Sequence, residues 1–246
     1  MGKVFKDIKN KIVFKKHLRQ FLKQDKRFHF TKKDLYPCLN DNTSDTKFDT
    51  HYVYHCAWAA RVLKKINPDE HTDIGSHIYF NAITSSFINI NFYDYRPANI
   101  LLDGLSSSRA DILKLPFETS SIKSLSCMHV VEHIGLGRYG DKIDAEGDLK
   151  AISELKRVVA ENGDLLFVVP LSGKAKLKFN AHRIYTFEMI IEYFSDLHLH
   201  EFALIPDNAY ETGLIENPEK SLLEQQRYGC GCFWFKKGES SNVKSR

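Results

Sequence analysis

Residues 111–117 (Asp-Ile-Leu-Lys-Leu-Pro-Phe) and 124–134 (Ser-Leu-Ser-Cys-Met-His-Val-Val-Glu-His-Ile) carry the clearest chemical signal in this chain. An acid closes one short strand, a polar linker follows, and an apolar strand then ends in Glu-His. In open α/β sheets, nucleotide-type cofactors sit outside the carboxyl ends of such strands. Two further acids fall at earlier strand ends, Asp73 just before Gly75 and Ser76, and Asp94. A glycine lets the backbone approach a ligand, and an acid can take a cationic ammonium group. Asp94 is placed to accept from a ribose diol. The Asp111 carboxylate can accept from the exocyclic amine of adenine while the Ile112 amide donates to a ring nitrogen. His129, near the end of the apolar strand, completes this cofactor-binding set. Each acid alone reads more readily as a cap or turn residue; their order and spacing carry the reading.

Alternating elements must position these groups. Helical periodicity through Tyr52, Ala59, Val62, Leu63 and Ile66 stops near Asn67-Pro68. A short strand then ends at Asp73–Ser76, and an apolar helix covers about 77–87. A strand over 88–93 ends at Asp94. Short strands fit 99–102 or 110–113, then 125–131. A helix over 148–159, stopped by Gly163, leads into the buried strand 164–170. A helix at 187–194 and strands at 197–205 and 228–235 close the pattern. Strands alternating with helices predict a parallel sheet, and the last two strands, with no helix between them, predict an antiparallel hairpin. The expected fold is therefore α/β, a doubly wound, mostly parallel seven-stranded sheet with an antiparallel C-terminal hairpin.

Residues 70–170 resemble the class I S-adenosylmethionine-dependent methyltransferases. Residues 111–117 look like the segment after that superfamily's third strand, Val130-Val-Glu-His133 like its fourth-strand motif, and 155–170 like its helix–turn–fifth-strand segment. The superfamily's first motif usually carries two or three glycines; Asp73-Ile-Gly-Ser-His-Ile78 has one. Over residues 51–207 the chain also resembles a methyltransferase-like family of unknown function, often found with bacterial cell-surface polysaccharide genes. His51-Tyr-Val-Tyr-His55, Trp58-Ala-Ala-Arg61, Glu132-His-Ile-Gly-Leu-Gly-Arg-Tyr-Gly-Asp141 and Asn180-Ala-His-Arg-Ile-Tyr185 carry that likeness. The resemblance implies a Rossmann-like fold and S-adenosylmethionine as cofactor.

Two loops then become the candidate acceptor site. Methyl transfer to oxygen needs the acceptor aligned behind the methyl group at roughly 3 Å and a base for the hydroxyl proton. Neutral histidine is the natural base near neutral pH. His182 is the first candidate and His133 the second, with Glu132 beside it. Arg138 and Arg183 can fork onto a phosphate or carboxylate. Tyr139 and Tyr185 can pack on a sugar ring, and Asp141 and Asn180 add polar contacts. Residues 135–140 (Gly-Leu-Gly-Arg-Tyr-Gly) match the dinucleotide fingerprint, which must open directly into a helix. Here a polar segment intervenes, so the stretch reads as a Gly-rich loop over the pocket. No helical or knuckle-like spacing argues for a metal.

Charge is distributed unevenly. Residues 1–33 hold twelve Lys/Arg against two acids, Asp7 and Asp25, whereas the rest of the chain is net acidic. Val4, Phe5, Ile8, Ile12, Phe14, Leu18, Phe21 and Leu22 are read as one helical stripe, giving a basic amphipathic arm (1–36) before a polar linker (37–50), the main domain (51–236) and a flexible tail (237–246). Such an arm can dock on protein or lie on an anionic membrane surface. Nucleic acid is not expected, because no stacking aromatics interleave with the basic groups. With no export signal or membrane span, the five cysteines are expected to be reduced. Cys230 and Cys232 read as residues of a strand with one buried face.

The function these residues imply is a cytoplasmic methyltransferase whose residues 1–33 either dock on protein or hold it peripherally at the inner face of the membrane. It would use S-adenosylmethionine on a hydroxyl of a small-molecule sugar or sugar-phosphate in polysaccharide biosynthesis. Two rivals stand beside it: a non-catalytic scaffold with the same sheet, and an NAD-dependent enzyme using residues 135–140.

Overall fold

The computed structural model of the chain describes residues 2–25 and 27–238, in two compact units, one ending at Phe48 and one starting at Asp49. The first unit holds α1 (Gly2–Gln24) and a 3-10 turn (Lys32–Asp34) whose Asp34 carboxylate accepts from the Thr31 amide at 2.7 Å. Asn10 Nδ2 donates to Leu39 O at 2.7 Å, folding the following segment back along α1. The apolar residues of α1 do not form the single stripe expected. At about 100° per residue, Phe14, Leu18 and Leu22 share a half-buried side, while Phe5, Ile8 and Ile12 are exposed on another.

The second unit runs α2 (Thr50–Ile66), β1 (Glu70–Ile74), α3 (Ile78–Thr84), β2 (Asn89–Asp94), β3 (Leu105–Arg109), β4 (Ile122–Met128), α4 (Gly147–Val158) and β5 (Val159–Leu171). It continues through β6 (Lys176–Lys178), β7 (His182–Ile184), α5 (Phe187–Tyr193), β8 (His198–Ile205), α6 (Ala209–Thr212), β9 (Ile215–Glu216), α7 (Lys220–Gln225) and β10 (Gly229–Lys236). The main sheet has the order β3-β2-β1-β4-β5-β10-β8-β9; its first five strands are parallel and the rest antiparallel. A separate hairpin, β6–β7, attaches to the end of β5 through the Leu171–Tyr185 bridge. Strand order reverses between β1 and β4.

The sheet is mixed α/β as expected, but with eight strands instead of seven. The extra strand is β9, two residues paired with Ala203 and Leu204. The final strands are not a simple hairpin, because α6, β9 and α7 lie between β8 and β10. Helices of four and six residues are too short to show a periodic stripe. The third strand falls between the two expected positions. Its sequence, Leu-Ser-Ser-Ser-Arg, has no apolar run, and it holds an edge through its backbone register with Ile90–Asp94. Gly163 does not end α4; it lies inside β5, at the irregularity where the register with β4 shifts.

The core follows strand alternation. Leu165, Phe167 and Val169 face α4 and α5, while Leu166 and Val168 face α2 and α3; all five are fully buried. Truncating a buried phenylalanine such as Phe167 to alanine costs about 3–5 kcal/mol. β10 is buried on both faces, contrary to the one-faced expectation, since Phe233 and Phe235 pack on one side and Cys230, Cys232 and Trp234 on the other. All five cysteines are free thiols. Lys237, expected in a flexible tail, is anchored: its ammonium donates to Ser120 Oγ, Lys156 O and Val159 O at 2.9–3.1 Å. The remainder of that tail, 239–246, lies outside the described residues. No helix among the described residues is long and apolar enough to cross a membrane.

A buried polar network crosses the β1–β4 pair. His71 Nδ1 bonds Ser124 Oγ at 2.7 Å and its Nε2 bonds Ser126 Oγ at 2.8 Å, and Ser126 Oγ in turn bonds Asp73 Oδ2. Burial drives the His71 pKa down to about 3. The unfolded chain therefore binds a proton near pH 6.5 that the folded chain refuses, and His71 withdraws stability as pH falls from about 6.5 toward 3. Burial raises the Asp73 pKa, which acts in the opposite sense, so the effect is isolated by comparison with His71→Gln. In urea unfolding, the stability gap between wild type and His71→Gln should narrow by about 2 kcal/mol between pH 7 and pH 4.5. A gap independent of pH would show that His71 is not held neutral.

Candidate functional site

A cleft of about 590 Å³ opens outside the carboxyl ends of β1, β2 and β4, at the reversal of strand order. Gly75, Asp94, Asp111 and Ile112 line one part of it, and His129, His133, Tyr139 and Asp141 line another. Gly75 sits in the left-handed region at φ 70°, and its amide donates to Tyr93 O at 2.8 Å. A methyl group on Gly75 would lie 3.1 Å from Val130 and 3.6 Å from Asp94 Oδ2. Only glycine keeps this floor open without strain. Asp94 Oδ1 accepts from the Arg96 amide at 2.7 Å, and Asp111 Oδ1 from the Leu113 amide at 2.9 Å, so both carboxylates are held at the cleft by short turns. The Ile112 side chain goes to the core.

Asp73 and Ser76, expected on the ligand, face inward instead. Asp73 is fully buried; its Oδ1 accepts from Ser76 N and Asn81 Nδ2, each at 3.0 Å. Ser76 Oγ accepts from Met128 N at 3.0 Å. Both frame the turn, because β1 directs them to β4 and α3.

The Gly-rich loop is organised by Asp141. Its carboxylate accepts from the amides of Gly135, Gly137 and Tyr139 at 2.8–3.1 Å. Burial alone would raise its pKa, but these backbone donors outweigh that and hold it below the usual carboxylate range. The amides that a dinucleotide loop would offer to pyrophosphate are thus engaged, and α4 begins only at Gly147. The NAD reading loses its structural basis.

Arg183 and Tyr185, expected at an acceptor, are engaged by the loop and by the start of α4. Arg183 donates to Ile134 O at 2.6 Å and Ala145 O at 3.2 Å, and its Nε lies 3.4 Å from Asp148. The Tyr185 hydroxyl, in a fully buried side chain, donates to Asp148 at 2.9 Å. Arg138 donates to Ala181 O at 3.0 Å and covers the Tyr139 ring, which Arg96 approaches at 4.6 Å from centroid to guanidinium carbon. Asn180 is exposed in the β6–β7 turn, outside the cleft lining.

Of the two candidate bases, His133 lines the cleft and His182 does not. His133 Nδ1 lies 2.7 Å from the Ala181 carbonyl, which can only accept, and 3.2 Å from Arg138; in the neutral tautomer that donates to the carbonyl, Nε2, 3.8 Å from Glu132 Oε1, carries the lone pair. His182 stacks on Tyr228 at 5.2 Å, and its buried Nε2 has no hydrogen-bond partner among the described residues. Burial, then the neighbouring His133, lowers its pKa. Glu132 is buried beneath both loops and accepts from His129 Nδ1 at 2.8 Å. Burial pushes its pKa up, yet the bond and charge of His129, with His133, bring it below the ordinary value.

Sequence reasoning missed a second group of residues beside this floor. α2 presents His51, Tyr52 and His55; Tyr228, just before β10, and Cys230, at its start, join them. The His51 and Tyr52 rings lie 5.5 and 5.3 Å from that of His129. The signal available was the i,i+4 histidine pair in the His51–His55 string, which puts both rings on one face at the amino end of α2.

Residues 117–201 match the family described as "Caenorhabditis protein of unknown function, DUF268". No curated protein matches the sequence. Among solved structures, the partner of the Trm112 methyltransferase activator in a Haloferax volcanii complex is 17% identical with a TM-score of 0.52, covering 79% of this chain and 92% of that one. Burkholderia thailandensis 1,6-didemethyltoxoflavin-N1-methyltransferase, solved with its substrate and S-adenosylhomocysteine, is 8% identical with a TM-score of 0.52, covering 75% and 79%. The [4+2]-cyclase SpnF is 12% identical with a TM-score of 0.53, covering 75% and 82%. The chain has the fold of the class I S-adenosylmethionine-dependent methyltransferases.

Proposed function

We propose that this chain binds S-adenosylmethionine in the cleft and transfers its methyl group to a hydroxyl of a small molecule, a sugar or sugar-phosphate. One observation carries the reading: Asp94, Asp111 and the Gly75 turn converge on one open cleft at the reversal of strand order. Gly75 presents bare backbone to the cleft, which suits a ligand that lies against it. Asp94 would hold the ribose diol, and Asp111 with the Ile112 amide the adenine edge. When bound, the cofactor supplies an electrophilic methyl group on sulfur.

His133 is the base of this reading. Its Nε2 would take the proton of the acceptor hydroxyl. Tyr139 offers a ring face, and Arg96, Arg138 and Lys142 gather positive charge around the loop, a combination suited to a sugar carrying phosphate. The basic arm would keep the protein near anionic lipid surfaces where glycan intermediates are assembled.

The single glycine of the first loop favours one rival, a scaffold that keeps the sheet without the chemistry, and the shared fold of a cyclase shows that the sheet does not dictate methyl transfer. Calorimetry with S-adenosylmethionine and S-adenosylhomocysteine separates them. Wild type should bind both, and Asp94→Ala should weaken binding on the order of tenfold or more with an unchanged melting temperature. No heat at millimolar ligand would remove the cofactor from the reading. With sugar-phosphate acceptors, His133→Gln should lower kcat about 10²–10⁴-fold while cofactor affinity holds; equal turnover by the variant would dismiss His133 as the base.

A further inference from the structure

We propose that His51, His129 and Cys230 form a zinc-binding site at the floor of the cleft. The three residues come from α2, the end of β4 and the start of β10, so no local spacing in the sequence announces them. One ligand atom from each lies within 4.8 Å of the other two. Cys230 Sγ is 3.4 Å from His129 Nε2. Zinc–nitrogen bonds of about 2.0–2.1 Å and zinc–sulfur bonds of about 2.3 Å put neighbouring ligand atoms about 3.5 Å apart in a tetrahedral site. Closing the widest separation onto one ion takes about 1 Å of side-chain movement.

The surrounding hydrogen bonds prepare both imidazoles. Glu132 Oε1 accepts from His129 Nδ1 at 2.8 Å, and the Tyr228 carbonyl, which can only accept, takes His51 Nε2–H at 3.1 Å. Each histidine therefore has one nitrogen engaged and the other available as a lone-pair donor, the outer-shell arrangement of metal-bound histidines. Charge points the same way. Glu132 is buried, and its Oε2 has no hydrogen-bond partner among the described residues. A divalent ion with the Cys230 thiolate as ligand would neutralise that carboxylate. Two imidazoles and a thiolate select a borderline-soft ion such as zinc over magnesium or calcium. Three protein ligands leave a fourth position for an exchangeable ligand, and His129 also lines the cleft.

The test uses the full chain, reduced, stripped by chelator and reloaded with zinc or cobalt in the absence of cofactor, so its failure is separate from a failure to bind S-adenosylmethionine. About one zinc ion per chain should bind, and the cobalt form should show a thiolate-to-metal charge-transfer band. Cys230→Ala should abolish the band and weaken zinc on the order of 100-fold or more, as should His51→Asn, while Glu132→Gln should cost about 10–100-fold. Circular dichroism of the metal-free variants checks folding, and His51→Asn decides if Cys230→Ala does not fold. A band that survives Cys230→Ala, zinc affinity unchanged in His51→Asn, or no band in the wild type would each overturn the site.

Discussion

The geometry of the cleft rests on one buried carboxylate. Asp73 gathers the amide of Ser76, the side-chain amide of Asn81 and the hydroxyl of Ser126, and so ties the turn after β1 to α3 and to β4. A carboxylate buried without partners would cost several kcal/mol; this one is stable because donors from three elements meet it. The link runs past the strand end, where Ser76 Oγ accepts from Met128 N. With the turn fixed, Gly75 reaches its left-handed conformation between Asp94 and Val130 and leaves the floor clear. Asp73 is thus part of the frame, while Asp94 and Asp111 line the cleft.

The opposite wall uses the same economy of polar groups. Asp141 closes the Gly-rich loop from within, Arg183 holds it from the β7 side, and Asp148 receives both Arg183 and Tyr185. These bonds consume several of the side chains that looked free to meet an acceptor. What remains at the cleft is a smaller set, led by His133, Tyr139 and Arg96.

Residue type and order showed the sheet well where burial imposes a period. Residues 165–169 alternate between two cores and read as a strand at once. β3 was misplaced because three serines at an edge carry no apolar signal, and its pairing lies in the backbone of β2. The strand-end acids were found by order, but type does not tell which way a carboxylate turns: Asp73 and Asp94 look alike in sequence, yet Asp73 is buried and Asp94 lines the cleft. The histidine group around Glu132 was hidden for a different reason. Its members are distant along the chain and meet only because α2, the end of β4 and the start of β10 come together in the fold.

A crystal structure of the protein with S-adenosylhomocysteine tests the central claim most directly. The account predicts the ribose on Asp94, the adenine edge against Asp111 and the Ile112 amide, and the sulfur end directed toward His133. An adenosyl group bound elsewhere, or a cleft left without ligand at saturating concentration, would contradict it.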